Sequence, residues 1–327
     1  MPKLSIIIPI YNVEKYIGSC LKSIFTQDVA TDEYEVIIVN DGTPDNSMAE
    51  VANFSTRSNV KIINQENKGL SGARNRGLKE SQGEYVWFVD SDDYISEHSI
   101  STILELIKNE HANVYAIGYR RVYERDNSMG PEIKGVKEGY MPVEQFFGTP
   151  LFMSCAQFYV FNRDFFVKKN LFFHEGVYHE DMEFVAKLRV LCDKVYVSPS
   201  TLYFYLIRES GSIMTSFNIK KHYDCITIAD ELIRFKSNIE DIWTKMRLNK
   251  SIAYVLILSV LSIKKYYDTG NEEAKRFVFE VASIITFRKY WRELIQYKPS
   301  FYLCVCLLCI FVSPKLFIFL YPKRKSI

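Results

Sequence analysis

The 327-residue chain has few cysteines, glycines and prolines, and each shortage excludes a class of protein. Its 7 cysteines are an odd number and lie scattered, so they do not form the disulfide framework of a small secreted domain. With 14 glycines and 10 prolines, the composition is neither collagen-like nor of low complexity. A strong net charge is also lacking, because 41 lysines and arginines face 39 acidic residues. We therefore expect no nucleic-acid partner.

The N-terminus lacks the features of a secretory signal peptide. Its apolar stretch, Leu4 to Ile10, is short, is broken by Pro9 and is followed by Glu14. We therefore expect most of the chain to stay in a reducing cytoplasm. Hydrophobic residues make up 48% of the chain, which is enough for one large core or two modest ones.

Strand and helix patterns alternate about every 25 residues in the first part of the chain. This alternation predicts an α/β fold with a doubly wound, mostly parallel sheet flanked by helices. Pro9 has no N–H and is expected to end the ladder of the first strand. The predicted strands are 4–10, 35–39, 60–63, 84–89 and 114–117, and the predicted helices are 13–25, one through the fifties, 69–81 and 96–108.

Beyond residue 118 the pattern changes twice. Strands are expected at 119–123 and 203–207 and a helix at 180–191, whereas the chain from 218 to the high 290s has an almost continuous helical pattern. We therefore predict three segments: a catalytic domain over 1–215, a helical region over 216–298 and a tail over 299–327.

Four polar clusters follow predicted strands or lie in the loops between them. Each alone is weak evidence, because Asp-Gly and Asn-Gly pairs are also ordinary turn sequences. Together and in this order they predict a ligand site at the carboxyl edge of the sheet. The clusters are Pro9-Ile10-Tyr11-Asn12, Asn40-Asp41-Gly42, Asn67-Lys68-Gly69 with Arg74-Asn75, and Asp90-Ser91-Asp92-Asp93.

The cluster Asp90-Ser91-Asp92-Asp93 places three mutually repelling carboxylates within four residues. Capping of the following helix could explain Asp93, but hardly all three. Mg²⁺ or Mn²⁺ takes oxygen ligands from one or two carboxylates and the rest from substrate phosphates and water. The cluster therefore predicts a site for a divalent cation and a nucleotide diphosphate.

A second acidic cluster, His179-Glu180-Asp181, opens a predicted helix. One interpretation is a capped helix start, and the other is a general base that deprotonates an acceptor hydroxyl. His174 and His179 do not form a His-Glu-x-x-His zinc pattern, so we do not expect them to bind zinc.

These motifs resemble glycosyltransferase family 2, the inverting enzymes of the GT-A fold, many of which build bacterial surface polysaccharides. The resemblance covers residues 3 to about 215. It rests on Ser5-Ile6-Ile7-Ile8-Pro9-Ile10-Tyr11-Asn12, Val39-Asn40-Asp41-Gly42-Thr43-Pro44-Asp45, Asn67 to Asn75, Asp90 to Asp93, Tyr178-His179-Glu180-Asp181 and Tyr203 to Ser216.

The resemblance implies a role for each matching residue. Asp92 would bind Mn²⁺ or Mg²⁺, Asp181 would be the catalytic base, and Asp41 would accept a hydrogen bond from a base, typically uracil. The stretch Arg208 to Ser212 would be a mobile segment that closes over the diphosphate. The other expected contacts to the nucleotide sugar are Pro9, Tyr11, Glu14, Lys68, Arg74, Asp90, Ser91 and Arg208.

The expected reaction is the transfer of one sugar, with inversion, from a nucleotide-diphosphate sugar to a hydroxyl of a glycan or lipid-linked glycan. A UDP-sugar is favoured as the donor. The Gln-x-x-Arg-Trp motif of processive members is missing, so one sugar per encounter is expected.

A nucleotidyltransferase usually has a glycine-rich loop after its first strand, and a dinucleotide oxidoreductase has Gly-x-Gly-x-x-Gly there; neither is present. A nucleotide-binding scaffold without turnover remains an alternative.

The C-terminal segment Phe301 to Tyr321 is apolar and is followed by Lys323-Arg324-Lys325. Lys315 and Pro314 make insertion across a bilayer marginal, so we expect this segment to lie on the inner face of the cell membrane. The alternatives are a buried helix or a subunit contact. The cysteines at 304, 306 and 309 have no histidine nearby and are expected to be buried thiols.

Overall fold

The computed structural model describes residues 1–135, 137–149, 152, 154–209 and 217–284. The predicted tail 299–327, its three cysteines and the segment from 285 to the high 290s lie outside these residues. The chain divides into two compact units. The first contains Met1–Gly176 and Leu191–Thr215, and the second contains Val177–Val190 and the described residues from 217 onward.

The first four strands form the parallel part of one sheet, as predicted. They are β1 (Leu4–Ile10), β2 (Tyr34–Asn40), β3 (Val60–Asn64) and β4 (Tyr85–Phe88), in the order β3-β2-β1-β4. The pairings among these four strands are all parallel. Every residue of β1 and β4 is buried, which accounts for their continuous apolar sequences.

The prediction that Pro9 ends the first ladder is wrong, because β1 continues to Ile10 and pairs with β2 through Pro9↔Val39. The carbonyl of Ile7 accepts a hydrogen bond from Val89, on the β4 side of the strand. Alternation along the strand places the nitrogen of Pro9 on that same side, past the last pair with β4, Ile7↔Phe88. The missing N–H therefore removes no ladder hydrogen bond.

Three helices connect these strands, and a fourth follows them in the chain. They are α1 (Ile17–Phe25), α2 (Ser47–Ala52), α3 (Gly69–Glu80) and α4 (Ser99–Glu110). The predicted helix through the fifties is wrong in position, because α2 ends at Ala52. The approach of α3 to β1 depends on Gly77, since a Cβ there would overlap the side chain of Ile7.

The rest of the sheet is mixed, and part of it was not predicted. The added strands are β5 (Tyr94–Ile95), β6 (Val114–Tyr123), β7 (Ser128–Ile133), β8 (Gly139–Pro142), β9 (Tyr159–Asn162) and β10 (Lys194–Ile207). The short helices α5 (Val143–Phe146) and α6 (Arg163–Lys168) lie between them. The full order is β3-β2-β1-β4-β9-β6-β10-β5, with β7 paired to β6 and β8 to β10.

Strand β9 is antiparallel to both of its neighbours, β4 and β6, while β10 is parallel to β6. Two reversals restore the original direction, so β6 and β10 run the same way as β1 to β4. The carboxyl ends of these six strands therefore lie along one edge of the sheet. That edge carries the segments that begin at Tyr11, Asp41, Gln65, Val89, Glu124 and Arg208.

In the second unit the described secondary structure is helical. Its helices are α7 (Glu180–Leu191), α8 (Lys220–Ser237), α9 (Ile242–Leu261), α10 (Lys264–Asp268) and α11 (Glu272–Ile284). Their apolar faces form a core that includes Ala186, Leu232, Ile252, Leu256 and Phe277. Among the described residues, no helix combines the length and the apolar character needed to cross a bilayer.

Candidate active site at the carboxyl edge of the sheet

The loops after β1 and β2 are joined through the carboxylate of Asp45. Asp45 accepts hydrogen bonds from the Thr43 hydroxyl at 2.6 Å, from the Ser47 hydroxyl at 2.6 Å and from the Glu14 amide at 2.8 Å. In return, the Glu14 carboxylate accepts from the Asn46 amide at 3.0 Å, and Thr43 accepts from the Asn12 amide at 2.8 Å. Glu14, expected beside the nucleotide, thus also ties the two loops together.

These hydrogen bonds favour the ionised form of Asp45. Burial alone would raise its pKa, but the bonds from Ser47, Thr43 and Glu14 outweigh burial and lower the pKa to about 2. Asp45 is therefore charged across the physiological range and holds the loop geometry there.

Asp41, the expected acceptor for the base, connects the end of β2 to the loop after β3. It is only 2% exposed. Its Oδ1 accepts hydrogen bonds from the Gln65 side-chain amide and from the Lys68 backbone amide, both at 2.8 Å. Gly42 has φ +66°, a conformation that glycine adopts without strain. The geometry brings Asp41 and Lys68 together, as the motifs predicted.

Arg74 and Asp90 form an ion pair, with Arg74 Nη2 2.8 Å from Asp90 Oδ1. The arginine side chain is fully buried and the aspartate is 20% exposed. The Arg74 guanidinium also lies 5.2 Å from the ring centroid of Phe173, in a cation–π contact. Because Arg74 neutralises Asp90 directly, it compensates part of the repulsion within the acidic cluster.

The neighbouring Asn75 holds the segment around Phe173. Its Nδ2 donates to the Phe173 carbonyl at 2.8 Å and to Glu175 at 3.1 Å, and its Oδ1 accepts from the Phe173 amide at 2.9 Å. Asn75 is 4% exposed, so these bonds are largely shielded from water.

Asp93 does not cap a helix, which corrects that interpretation. It is 1% exposed; its Oδ2 accepts from the Tyr203 hydroxyl at 2.7 Å and its Oδ1 from the Leu206 amide at 2.7 Å. The same Tyr203 oxygen accepts from the Asp90 amide at 3.1 Å. Burial, and then the charges of Asp92 and Asp90, raise the pKa of Asp93 well above its usual value. Asp93 therefore fixes the acidic loop to β10.

Asp92, the predicted metal ligand, forms an ion pair with Arg208. Arg208 Nη1 lies 3.0 Å from Asp92 Oδ2, and the arginine and aspartate side chains are 11% and 26% exposed. The guanidinium also stacks on Tyr16, 4.6 Å from the ring centroid. Burial and the charge of Asp90 raise the pKa of Asp92, although Arg208 opposes that shift.

The fit of this site to a divalent cation depends on Asp90 and Asp92. Among the described residues, no group of three histidine, cysteine or acidic side chains could hold a metal ion alone. Asp90 and Asp92 are close enough to interact electrostatically, and Mg²⁺ sites often use one or two carboxylates with substrate phosphates and water. The carboxylates therefore fit a cation that takes its other ligands from water and, when a nucleotide diphosphate is present, from its phosphates.

The remaining predicted residues occupy several positions. Pro9 is buried in β1, Tyr11 is 49% exposed just after it, and Ser91 is 6% exposed. Asp181 lies in the first turn of α7, which belongs to the second unit, together with Glu180 and Glu183. Residues 210–212 of the expected mobile segment lie outside the described residues.

Five residues at this edge were given no role of their own by sequence reasoning: Asp45, Tyr16, Glu124, Asn75 and Tyr203. Asp45 and Asn75 lie inside the recognised motifs, so their positions in those motifs could have indicated a role at this edge. Tyr16 was expected only as part of the predicted helix 13–25. Glu124 and Tyr203 contact residues far away in sequence, and no local pattern indicates such contacts.

Comparison with known proteins assigns the chain to a family. The model of "Glycosyl transferase family 2" matches residues 5–170, about half of the chain and all four polar clusters. The chain belongs to this family, as the resemblance predicted, and it has the GT-A fold.

Two relatives show the similarity in sequence. The chain is 31% identical to the uncharacterized glycosyltransferase EpsJ of Bacillus subtilis over 231 residues, 68% of this chain and 66% of EpsJ. It is 30% identical to the poly(ribitol-phosphate) beta-N-acetylglucosaminyltransferase TarS of Staphylococcus aureus over 66% of this chain and 37% of TarS. The matched part is thus less than two thirds of either relative.

The fold likeness extends over most of the chain. A crystal structure of S. aureus TarS residues 1–349 in complex with UDP-GlcNAc superposes with a TM-score of 0.67 and 20% identity, covering 90% of this chain and 88% of that one. The mannosyltransferase PcManGT from Pyrobaculum calidifontis, in complex with GDP-Man and Mn²⁺, superposes with a TM-score of 0.55 and 15% identity over 94% and 87%.

Proposed function

We propose that the protein is an inverting glycosyltransferase that moves one sugar from a UDP-sugar to a hydroxyl group of a bacterial surface glycan or lipid-linked glycan. The observation that carries the proposal is the convergence of Asp41, Arg74, Asp90, Asp92 and Arg208 at one edge of the sheet. In an open α/β sheet, ligands bind outside the carboxyl ends of the strands, where the strand order reverses. In this sheet the order reverses at β1, between β2 and β4.

The donor would bind along this edge. Asp41 already accepts two hydrogen bonds at Oδ1, but a carboxylate has about four acceptor positions, so it can also accept the N–H of a base. Uracil is our preferred base, and Tyr11 and Lys68 would border it. The binding of UDP-GlcNAc by TarS supports this choice of donor class.

Chemistry at the diphosphate requires positive charge, because the leaving group carries negative charge as the sugar–phosphate bond breaks. Mn²⁺ or Mg²⁺, when bound, would supply Lewis-acid stabilisation of that charge. In this chain Asp92 would hold the cation, with Asp90 and Ser91 beside the donor, and Arg208 and Lys68 would contact phosphate oxygens. Arg74 would hold Asp90 in this position through their ion pair.

Asp181 would take the proton of the acceptor hydroxyl while that oxygen attacks the anomeric carbon from the face opposite the diphosphate. One displacement of this kind inverts the configuration.

We also propose that residues 1–215 form the catalytic domain. The association of residues 299–327 with the inner membrane face remains a prediction.

The test is a transfer assay with UDP-GlcNAc, Mn²⁺ and a panel of polyol-phosphate and glycan acceptors. UDP release that requires an acceptor, with an inverted linkage by NMR, would support the proposal. Asp181→Asn should remove turnover and keep donor binding, whereas the exposed control Glu240→Gln should keep both. Retained configuration, or full activity in Asp181→Asn, would contradict it.

A further inference from the structure

Glu124, which follows β6, makes contacts that neither the motifs nor the proposed reaction explains. Its Oε1 accepts a hydrogen bond from the Tyr16 hydroxyl at 2.7 Å, and its Oε2 accepts from the Glu209 amide at 2.8 Å. Its own amide donates to the Ile207 carbonyl at 3.1 Å. One carboxylate thereby joins the start of α1 to the residue that follows Arg208.

Arg208 is held from both sides by this arrangement. The backbone on its C-terminal side is bound to Glu124 through Glu209, and its guanidinium stacks on Tyr16, the other partner of Glu124. Its Nη1 reaches Asp92 Oδ2 at 3.0 Å. The position of Arg208 on Asp92 thus depends on a residue 84 positions earlier, brought near by the parallel pairing Tyr123↔Ile207.

The bonds of Glu124 also keep it charged. The Glu209 amide and the Tyr16 hydroxyl lower its pKa below the usual value. An ionised carboxylate that uses both oxygens on two different elements is a stronger restraint than a single neutral hydrogen bond.

We propose that Glu124 is a positioning residue that holds Arg208 against Asp92, so that the guanidinium takes the place of a divalent cation at this carboxylate. Arg208 and the cation then compete for the same oxygen, Asp92 Oδ2. Asp92 stays neutralised when no nucleotide is bound, and its release from Arg208 accompanies cation binding. The inference relies on the proposed function only for the kind of cation.

The experiment measures Mn²⁺ binding to the full chain by electron paramagnetic resonance, without nucleotide, sugar or acceptor. Arg208→Gln should bind Mn²⁺ about tenfold more tightly than the wild type, because a charge-assisted hydrogen bond no longer competes. Glu124→Ala should shift the affinity in the same direction by a smaller factor. The double variant should bind Mn²⁺ no more tightly than Arg208→Gln, since Glu124 favours the ion pair only by positioning Arg208.

The direction in which Glu124→Ala changes the Mn²⁺ affinity distinguishes the inference from a simple charge effect. Removing a negative charge near a cation site weakens cation binding by electrostatics alone, whereas releasing Arg208 strengthens it. Glu132→Ala is the charge control. It removes a carboxylate on β7 that pairs with Lys134, and it should leave the Mn²⁺ affinity unchanged. Glu124→Gln keeps the size and one acceptor oxygen and should lie between wild type and Glu124→Ala.

Weaker or unchanged Mn²⁺ binding by Glu124→Ala would overturn the inference, as would undetectable Mn²⁺ binding by every variant. Neither result depends on turnover, so the inference can fail while sugar transfer stands. Conversely, a protein that binds Mn²⁺ as described but transfers no sugar would refute the proposed function alone.

Discussion

The hydroxyl of Tyr203 lies 2.7 Å from Asp93 Oδ2 and donates to it, although 110 residues separate the two along the chain. The same oxygen accepts the Asp90 amide, so one phenol fixes both ends of the acidic loop. Tyr203 is fully buried, and its ring meets Trp87 edge-on with the centroids 6.1 Å apart. The loop that carries Asp92 is therefore placed by the core of the sheet.

Tyr203→Phe should lower the free energy of unfolding by about 1–3 kcal/mol, because it leaves the Asp90 amide and one oxygen of Asp93 without their partner in a buried site. Urea unfolding would measure this loss. Tyr11→Phe, at an exposed ring, is the control and should change stability little. A loss as small as that of Tyr11→Phe would contradict the role given to Tyr203.

Asp45 should make stability depend on pH in the acid range. Its pKa in the folded state, about 2, is below that of an unfolded aspartate, about 3.9. Its contribution is therefore complete above about pH 4 and is lost as the pH falls toward 2. Asp45→Asn should be less stable than wild type at pH 7, and the difference should shrink at low pH. A constant difference from pH 7 to pH 2 would show that ionisation of Asp45 does not matter.

Asn75→Ala should destabilise the fold by about 2–4 kcal/mol, since it deprives the amide and the carbonyl of Phe173 of their hydrogen bonds in a buried position. Thermal or urea unfolding beside the exposed control Asn53→Ala would show the difference. If the two variants lost equal stability, Asn75 would not be holding the segment at 173–175.

Gly77→Ala should cost about 1–3 kcal/mol, because the added methyl group overlaps Ile7 and forces α3 away from β1. Gly130→Ala is the control. The nearest atom to its new Cβ would be the Cβ of Arg121 at 3.5 Å, an ordinary contact, so stability should change little. Equal denaturation midpoints for both variants would contradict the close approach of α3 to the sheet.

The parallel half of the sheet could be predicted because its signals are local. Runs such as Leu4 to Ile10 are apolar apart from Ser5, and each is followed by a polar cluster at a strand end. Strand β9, Tyr159–Asn162, was not predicted, although β4 is equally short. Its place between β4 and β6 depends on contacts with residues such as Trp87 and Val114, far away in sequence.

The same distinction applies to the site. Asp41, Lys68, Arg74 and Asp90 stand in motifs, and the structure joins them in pairs. The contacts of Asp93 and Glu124 bring together parts of the chain more than 80 residues apart. Local patterns therefore suggested a helix cap for Asp93 and no role for Glu124.

We propose above all that this edge binds a UDP-sugar through a divalent cation held by Asp92. Calorimetry with UDP-, GDP- and CMP-sugars, each with and without Mn²⁺, tests it most directly. The account predicts tight binding of a UDP-sugar that requires Mn²⁺, is lost in Asp92→Asn and survives in Asp181→Asn. Binding that is independent of the metal, prefers GDP or CMP, or persists in Asp92→Asn would contradict it.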